Sequence, residues 1–182
     1  MSLKRISDAI ESLNEKAGTV LQWLSLFMVL VGAYNAIARF LSKYLQVNLS
    51  SNSLLEIQWY FFSALFLLAA AYGLKHNVHV RVDVFYEKFS PEKKEKINFY
   101  GNLFLLLPFC LTLFVASLPA VINSWKVWDL YPDPGGLPRY PVKTLLPLSF
   151  LLLFLQGLSQ TIKGYYSIKE KKYKKEEQGG HV

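Results

Sequence analysis

The sequence predicts an all-α membrane protein: four transmembrane helices, a cytoplasmic interfacial amphipathic helix between the second and third, and both chain termini in the cytoplasm. Three observations lead to this fold class: four long uncharged stretches, an uneven distribution of lysine and arginine, and aromatic residues near the ends of the stretches. A helix needs about 17–25 apolar residues to cross a bilayer core. Each stretch reaches that length, and the rest of this 182-residue chain is too short to cover four such helices as a soluble core.

The uncharged stretches are residues 17–38, 57–74, 97–125 and 144–162. We expect one membrane domain, residues 1–182, with spans at about 17–40, 57–75, 97–125 and 142–166. An open sheet would leave backbone groups unpaired in lipid, and the stretches are too few for a barrel, so helices are the expected form. The first stretch is longer than the 7–15-residue core of a signal peptide, and we expect it to be retained as a span.

Lysine and arginine set the expected orientation. Three precede the first span, six lie between the second and third, and six follow the fourth, mostly in a basic tail at 167–182, whereas the opposite side holds five. Because positively charged loops stay in the cytoplasm, both termini are expected there. The net charge of +7 is therefore interpreted as a topology signal and an attraction for membrane lipids. No nucleic-acid partner is expected, since the basic residues form no binding stripe.

The spans lack the chemistry of a catalytic or redox site. No Asp, Glu, Lys, Arg or His lies well inside any of the four stretches, where such residues usually mark ion paths or ligand sites. The histidines His76, His79 and His181 all fall outside the spans, which argues against haem ligation. The single Cys110 cannot form a disulfide within the chain. We therefore expect no cofactor and no enzymatic activity.

Uncharged polar residues do occur in the spans. We expect them to hydrogen-bond between helices or to contact a partner subunit; they are Asn35, Ser63, Asn102, Gln156 and Ser159. Ala69 and Gly73, four residues apart, would let another helix approach closely. Pro108 and Pro119 are expected to kink the long third stretch.

A proline-rich segment, YPDPGGLPRYP at 131–141, lies on the predicted outer side. Its four prolines and two glycines exclude a regular helix and favour a stiff series of turns. We interpret it as a shaped docking loop in which Asp133 and Arg139 are candidates for contact with a partner.

The segment HNVHVRVDVFYEKF, residues 76–89, brings two histidines, an arginine and an aspartate together. A zinc site needs three or four ligands, and no further histidine or cysteine is nearby. The valines alternate as in a strand, but Val78, Val82, Phe85 and Phe89 also follow helical spacing. A lone strand would leave its edges unpaired, so we expect an interfacial helix at about 78–89. The following Ser90-Pro91 is typical of a helix start.

Several features, taken in chain order, form a recognisable set. Glu56 and Trp59 begin span two, and HVRVD, with His79, Arg81 and Asp83, follows it. Span four contains the tetrapeptide 147–150 and the tripeptide 155–157, PLSF and LQG. With four spans and the proline-rich loop, the chain resembles the small, DctQ-like membrane subunit of TRAP transporters, the tripartite ATP-independent periplasmic uptake systems. The family more often has glycine where Ser149 stands.

The resemblance implies a supporting role in transport. In such a system a periplasmic substrate-binding protein delivers an organic acid to a large, elevator-type membrane subunit in the bacterial inner membrane. The small subunit is then a scaffold that packs against the large subunit and supports docking of the binding protein for secondary-active uptake. The candidates for assembly or partner contact are Glu56, Trp59, His79, Arg81, Asp83, Asp133, Arg139 and Gln156.

Two other functions are compatible with the residues alone. One is a self-contained oligomeric four-span small transporter or channel, which would show flux from the purified chain by itself. The other is an interfacial membrane enzyme that uses His79, Arg81 and Asp83. That enzyme would require turnover that is lost on substitution of these residues without loss of assembly.

Overall fold

The computed structural model describes residues 2–46, 51–78, 86, 88–132 and 136–179, with side chains between residues 3 and 170. Five α-helices and a π-helical turn at Asn102–Leu106 build it. The helices are α1 (Ser2–Leu45), α2 (Asn52–Lys75), α3 (Pro91–Gly101), α4 (Leu107–Lys126) and α5 (Tyr140–Gly179). Four helical rods, α1, α2, the continuous α3–α4 and α5, are long and apolar enough to cross a membrane. This confirms the predicted four-helix membrane fold. Most of the predicted interfacial helix, including His79, Arg81 and Asp83, lies outside the described residues.

Local sequence explains where two helices begin. The Ser51 hydroxyl accepts a hydrogen bond from the backbone N–H of Ser53 and so caps α2. The Ser90 hydroxyl, 3.5 Å from the N–H of Lys93, does the same for α3. Pro91 occupies the first turn of α3, where its missing N–H costs nothing. Ser90-Pro91 is therefore a helix start, as the sequence predicts.

The π-helical turn sits directly before Pro108. A proline inside an α-helix has no N–H to donate, and its ring clashes with the carbonyl four residues earlier, here that of Phe104. Within the turn the N–H of Leu107 donates to the carbonyl of Asn102, five residues back. This wider turn accommodates the proline without breaking the rod, so α3 and α4 run on as one span.

One face of α1 packs against the bundle with a regular spacing. Ten of its buried and half-buried residues recur alternately three and four positions apart: Ser7, Ile10, Asn14, Ala17, Leu21, Leu24, Met28, Val31, Asn35 and Ala38. This repeat of 3.5 residues is typical of left-handed helix packing. The opposite face carries exposed apolar side chains such as Trp23 and Phe27, as expected of a surface that lies against lipid.

The helix α5 is the centre of the bundle, because it contacts α1, α2, α3 and α4. Two glycines allow close contacts: a Cβ at Gly18 would lie 2.3 Å from the Tyr72 ring, and one at Gly157 would lie 2.8 Å from Leu106. We call the end of the bundle that carries Ser7, Lys75 and Lys163 the basic end. The end that carries Glu56 and the connection between α4 and α5 is the loop end.

Candidate functional site

Two residues of α2 hold the connection between α4 and α5 at the loop end. The Glu56 side chain accepts a hydrogen bond from the backbone N–H of Leu137 at 2.6 Å. Tyr60, one helical turn later, donates its hydroxyl to the carbonyl of Pro138. A spacing of four residues places both side chains on the same face of α2. The proline-rich segment is thus anchored to the start of the second span.

The described part of this loop also closes on itself. Leu130 and Pro138 form an isolated antiparallel bridge. Beside it, the N–H of Tyr131 donates to the carbonyl of Leu137 at 3.2 Å, and the N–H of Arg139 donates to that of Asp129 at 2.8 Å. The Arg139 guanidinium lies 5.0 Å from the centre of the Tyr131 ring, a cation–π contact. These bonds shape the loop, whereas Asp133 lies outside the described residues.

Asp129 joins the two helices at the base of the loop. Its carboxylate pairs with the Lys143 ammonium at the start of α5 and accepts a 3.1 Å hydrogen bond from the Ser124 hydroxyl in α4. The Lys143 ammonium, followed by the Ser124 hydroxyl, holds the pKa of Asp129 below its ordinary value. The carboxylate is therefore charged at neutral pH and ties α4 to α5.

Glu56 also lies beside a cavity at the loop end. Its side chain is 5% exposed, and its Oε1 has no hydrogen-bond partner among the described residues. The residue lines a cavity of about 240 Å³ together with Asn52, Leu55, Trp59 and Tyr131. The Trp59 ring beside it is 66% exposed. The exposed indole suits contact with another protein, since tryptophan is enriched at the centres of protein interfaces.

A polar core holds the helices together toward the basic end. The Asn14 amide donates to the Gln156 carbonyl oxygen at 2.7 Å, and the hydroxyls of Ser7 and Ser159 lie 2.6 Å apart. The Asn102 amide donates to Gln160 at 3.1 Å, and Gln160 in turn donates to the backbone carbonyl of Leu74 at 2.7 Å. The prediction of hydrogen bonds between helices is therefore confirmed for Asn102, Gln156 and Ser159.

Ion pairs surround this polar core. Glu11 pairs with Lys163 at 2.5 Å, and Glu15 pairs with Lys75. His76 Nε2 lies 3.2 Å from the Glu15 carboxylate, and the imidazole packs on the Tyr72 ring. Within the described ranges, no three His, Cys, Asp or Glu side chains are grouped to hold a metal. His76 thus contributes to the contact between α1 and α2.

The predicted site residues fall into three groups. Glu56, Trp59 and Arg139 come together at the loop end. Gln156 is 1% exposed and bonds to Asn14, so its described contacts lie within this chain. The remaining candidates, His79, Arg81, Asp83 and Asp133, lie outside the described residues.

Several contributing residues were not predicted. Tyr60 and Asp129 bond to groups far away or across a turn, and no local pattern distinguishes them. The polar residues of α1 did carry a signal: Ser7, Glu11 and Asn14 are spaced four and three residues apart, which places them on one helical face. Reading that face as polar would have identified the part of α1 that contacts α5.

The comparison with known families agrees with this architecture. Residues 28–165, more than half of the chain, match the family described as tripartite ATP-independent periplasmic transporters, DctQ component. No curated protein matches the chain. This family consists of transporter components, not enzymes, and works with a large membrane subunit and a binding protein. With its four membrane-crossing helices, the chain therefore belongs to the DctQ family, the small membrane subunits of TRAP transporters.

Proposed function

We propose that this chain is the scaffold of a TRAP transporter in the bacterial inner membrane. It packs against the large elevator-type subunit and supports docking of the periplasmic binding protein during secondary-active uptake of an organic acid. The observation that carries the proposal is the absence of Asp, Glu, Lys, Arg and His from the stretches 17–38, 57–74, 97–125 and 144–162 of a DctQ-family chain. Transporters build their sites from charged groups and interrupted helices near the bilayer midplane.

The use of polar side chains supports this role. Asn14, Asn102, Gln156 and Ser159 all bond to other helices of the same chain. The only interruption of the helical geometry within a described span is the π-helical turn, which accommodates Pro108. Groups that serve packing in this way stiffen a scaffold.

We assign docking of the binding protein to the loop end. The described part of the loop is held by Glu56 and Tyr60 and is shaped by its own backbone hydrogen bonds. A pre-shaped surface loses little conformational entropy on binding. The exposed Trp59 provides an apolar contact for the partner.

We assign the HVRVD segment to assembly with the large subunit. An arginine and an aspartate next to apolar residues suit a partly buried contact, where a charge-assisted hydrogen bond contributes about 1.5–3 kcal/mol. Arg81→Ala should therefore lower recovery of the large subunit when this chain is purified by an affinity tag. Uptake per assembled complex should stay unchanged. Loss of uptake in fully assembled complexes would instead give Arg81 a direct part in transport.

Reconstitution tests the main proposal. In liposomes with a sodium gradient and the binding protein, the chain alone should give no uptake of solute. Addition of the large subunit should restore uptake, and the large subunit without this chain should give less uptake or assemble poorly. Uptake by the chain alone would overturn the scaffold role and favour a self-contained transporter.

A further inference from the structure

A cavity of about 300 Å³ opens between α1, α2, α3 and α5 at the basic end. This volume lies at the lower limit of small-molecule sites in proteins. Its lining is mostly polar, in contrast to the apolar surface of the spans, and the residues that matter for recognition are Glu11, Lys75, Glu95, Asn98, Gln156 and Lys163. The scaffold role proposed above gives this cavity no task.

The lining carries both signs of charge. Glu11, Glu95, Lys75 and Lys163 all line the cavity; Lys163 is paired with Glu11 at 2.5 Å, and Lys75 is paired with Glu15 of α1. A simple anion would meet two carboxylates there, and a simple cation would meet two ammonium groups. The complementary ligand therefore carries one positive and one negative group of its own.

A buried donor points to the negative group. Gln156 lines the cavity and is 1% exposed, and its Nε2 has no hydrogen-bond partner among the described residues. Buried amide groups in native proteins are almost always paired with protein, water or ligand. An oxygen of an anionic group, such as a phosphate, would accept this N–H and would also lie within reach of the lysines.

The positive group is an ammonium that can donate. Carboxylates and amide oxygens at the cavity accept N–H donors, which a primary ammonium supplies and a quaternary one lacks. Quaternary ammonium is instead recognised by cages of aromatic rings, and Phe99 is the sole aromatic residue among those that line the cavity in the described part of the chain. The lining thus favours a primary ammonium over a quaternary ammonium.

The position of the cavity favours a membrane lipid as the source of a ligand with these two charged groups. Phe99 and Gly164 line it, and the residues directly after them, Tyr100 and Tyr165, are 55% and 53% exposed. Exposed tyrosines at the ends of membrane helices lie at the depth of the lipid headgroups. We propose that this cavity binds the headgroup of a phospholipid with a primary ammonium, of the phosphatidylethanolamine class. Its phosphate meets Gln156 and the lysines, and its ammonium meets Glu95 and Asn98.

Native mass spectrometry of the full chain in mild detergent tests this proposal. After delipidation, the chain is offered phosphatidylethanolamine, phosphatidylcholine and phosphatidylglycerol with identical acyl chains. Phosphatidylethanolamine should be retained best. Glu95→Gln should lower its retention roughly tenfold, the effect of losing one charge-assisted hydrogen bond. The matched control is Glu92→Gln, one turn earlier on the same helix and outside the cavity lining, which should retain lipid like the parent chain.

Three outcomes would overturn the assignment. Equal retention of phosphatidylcholine or phosphatidylglycerol would show that the headgroup ammonium is not recognised. Unchanged retention in Glu95→Gln would show that the lipid binds elsewhere. Displacement of the lipid by free phosphoethanolamine at equal concentration would show that the cavity binds a soluble molecule of the same chemistry and not a membrane lipid. Since the readout is lipid retention, failure here leaves the proposed scaffold role to be judged by reconstitution alone.

Discussion

The amide of Asn14 illustrates how single residues hold this bundle together. Leucine side chains gain little from leaving lipid for another helix, because both surroundings are apolar. A hydrogen bond between two buried amides does distinguish the folded bundle from separated helices. The 2.7 Å bond from Asn14 to Gln156 therefore selects which faces of α1 and α5 meet.

A double-mutant cycle measures this bond. Asn14→Leu and Gln156→Leu should each lower the free energy of unfolding, because each leaves the other amide unpaired. The double variant should lose less than the sum of the two. The coupling energy should be about 0.6 kcal/mol and not above about 1.7 kcal/mol, the mean and the maximum of such cycles in a helical membrane protein. Thermal unfolding in detergent provides the readout, and strictly additive losses would show that the bond contributes nothing.

Pairs of helices depend on how closely their axes approach. α1 can come near α2 because Gly18 has no side chain where the Tyr72 ring lies. Tyr72 in turn packs against His76, whose Nε2 is 3.2 Å from Glu15 of α1. The glycine contact and the contact between His76 and Glu15 therefore support the same crossing of the two helices.

Alanine substitutions separate this packing effect from helix propensity. Gly18→Ala should lower the free energy of unfolding by about 1–3 kcal/mol, the usual cost of forcing extra atoms into a packed contact. The matched control is Gly101→Ala, where a Cβ would meet no atom within 4 Å. That change should raise the free energy of unfolding by about 0.5–1 kcal/mol, because alanine restricts the unfolded chain more than glycine does. Equal effects of the two variants would remove the close approach as an explanation.

The four long helices were predictable from sequence because bilayer thickness sets the length of an uncharged stretch. The helical extension of α1 before residue 17 was not, since its charged residues carry no transmembrane signal. Nor was the bond from Glu56 to Leu137, which joins residues 81 positions apart. Glu56 itself was predicted as a site residue. Its hydrogen-bond partner Leu137 could not be predicted, because no local sequence pattern indicates which loop contacts the start of a given helix.

At the scale of the whole molecule, the two ends of the bundle differ in charge and in shape. The loop end holds a turn-rich segment anchored to α2, and the basic end holds ion pairs around a polar core. The distribution of lysine and arginine predicts that the basic end faces the cytoplasm. In that orientation the loop end would lie where a periplasmic protein can reach it.

Thiol labelling of intact cells checks that orientation. Cysteines introduced at Ser51 and Asp133 should react with an impermeant reagent added from outside, and one at Ser90 should react only after the membrane is opened. The natural Cys110 is 0% exposed, so it should contribute little background. Labelling of a cysteine at position 90 in intact cells would contradict the predicted orientation.

The hydrogen bonds between α1 and α5 also determine when the bundle can close during synthesis of the chain. Ser7 and Ser159 are 152 residues apart, and Asn14 and Gln156 are 142 apart. At a synthesis rate of about 5–20 residues per second, roughly 7–30 s separate the synthesis of Ser7 and Asn14 in α1 from that of Ser159 and Gln156 in α5. Until then the amide of Asn14 has no helix to bond to. Closure of the bundle on α1 is therefore a late event, and a chain that stalls before α5 leaves Ser7 and Asn14 without their α5 partners.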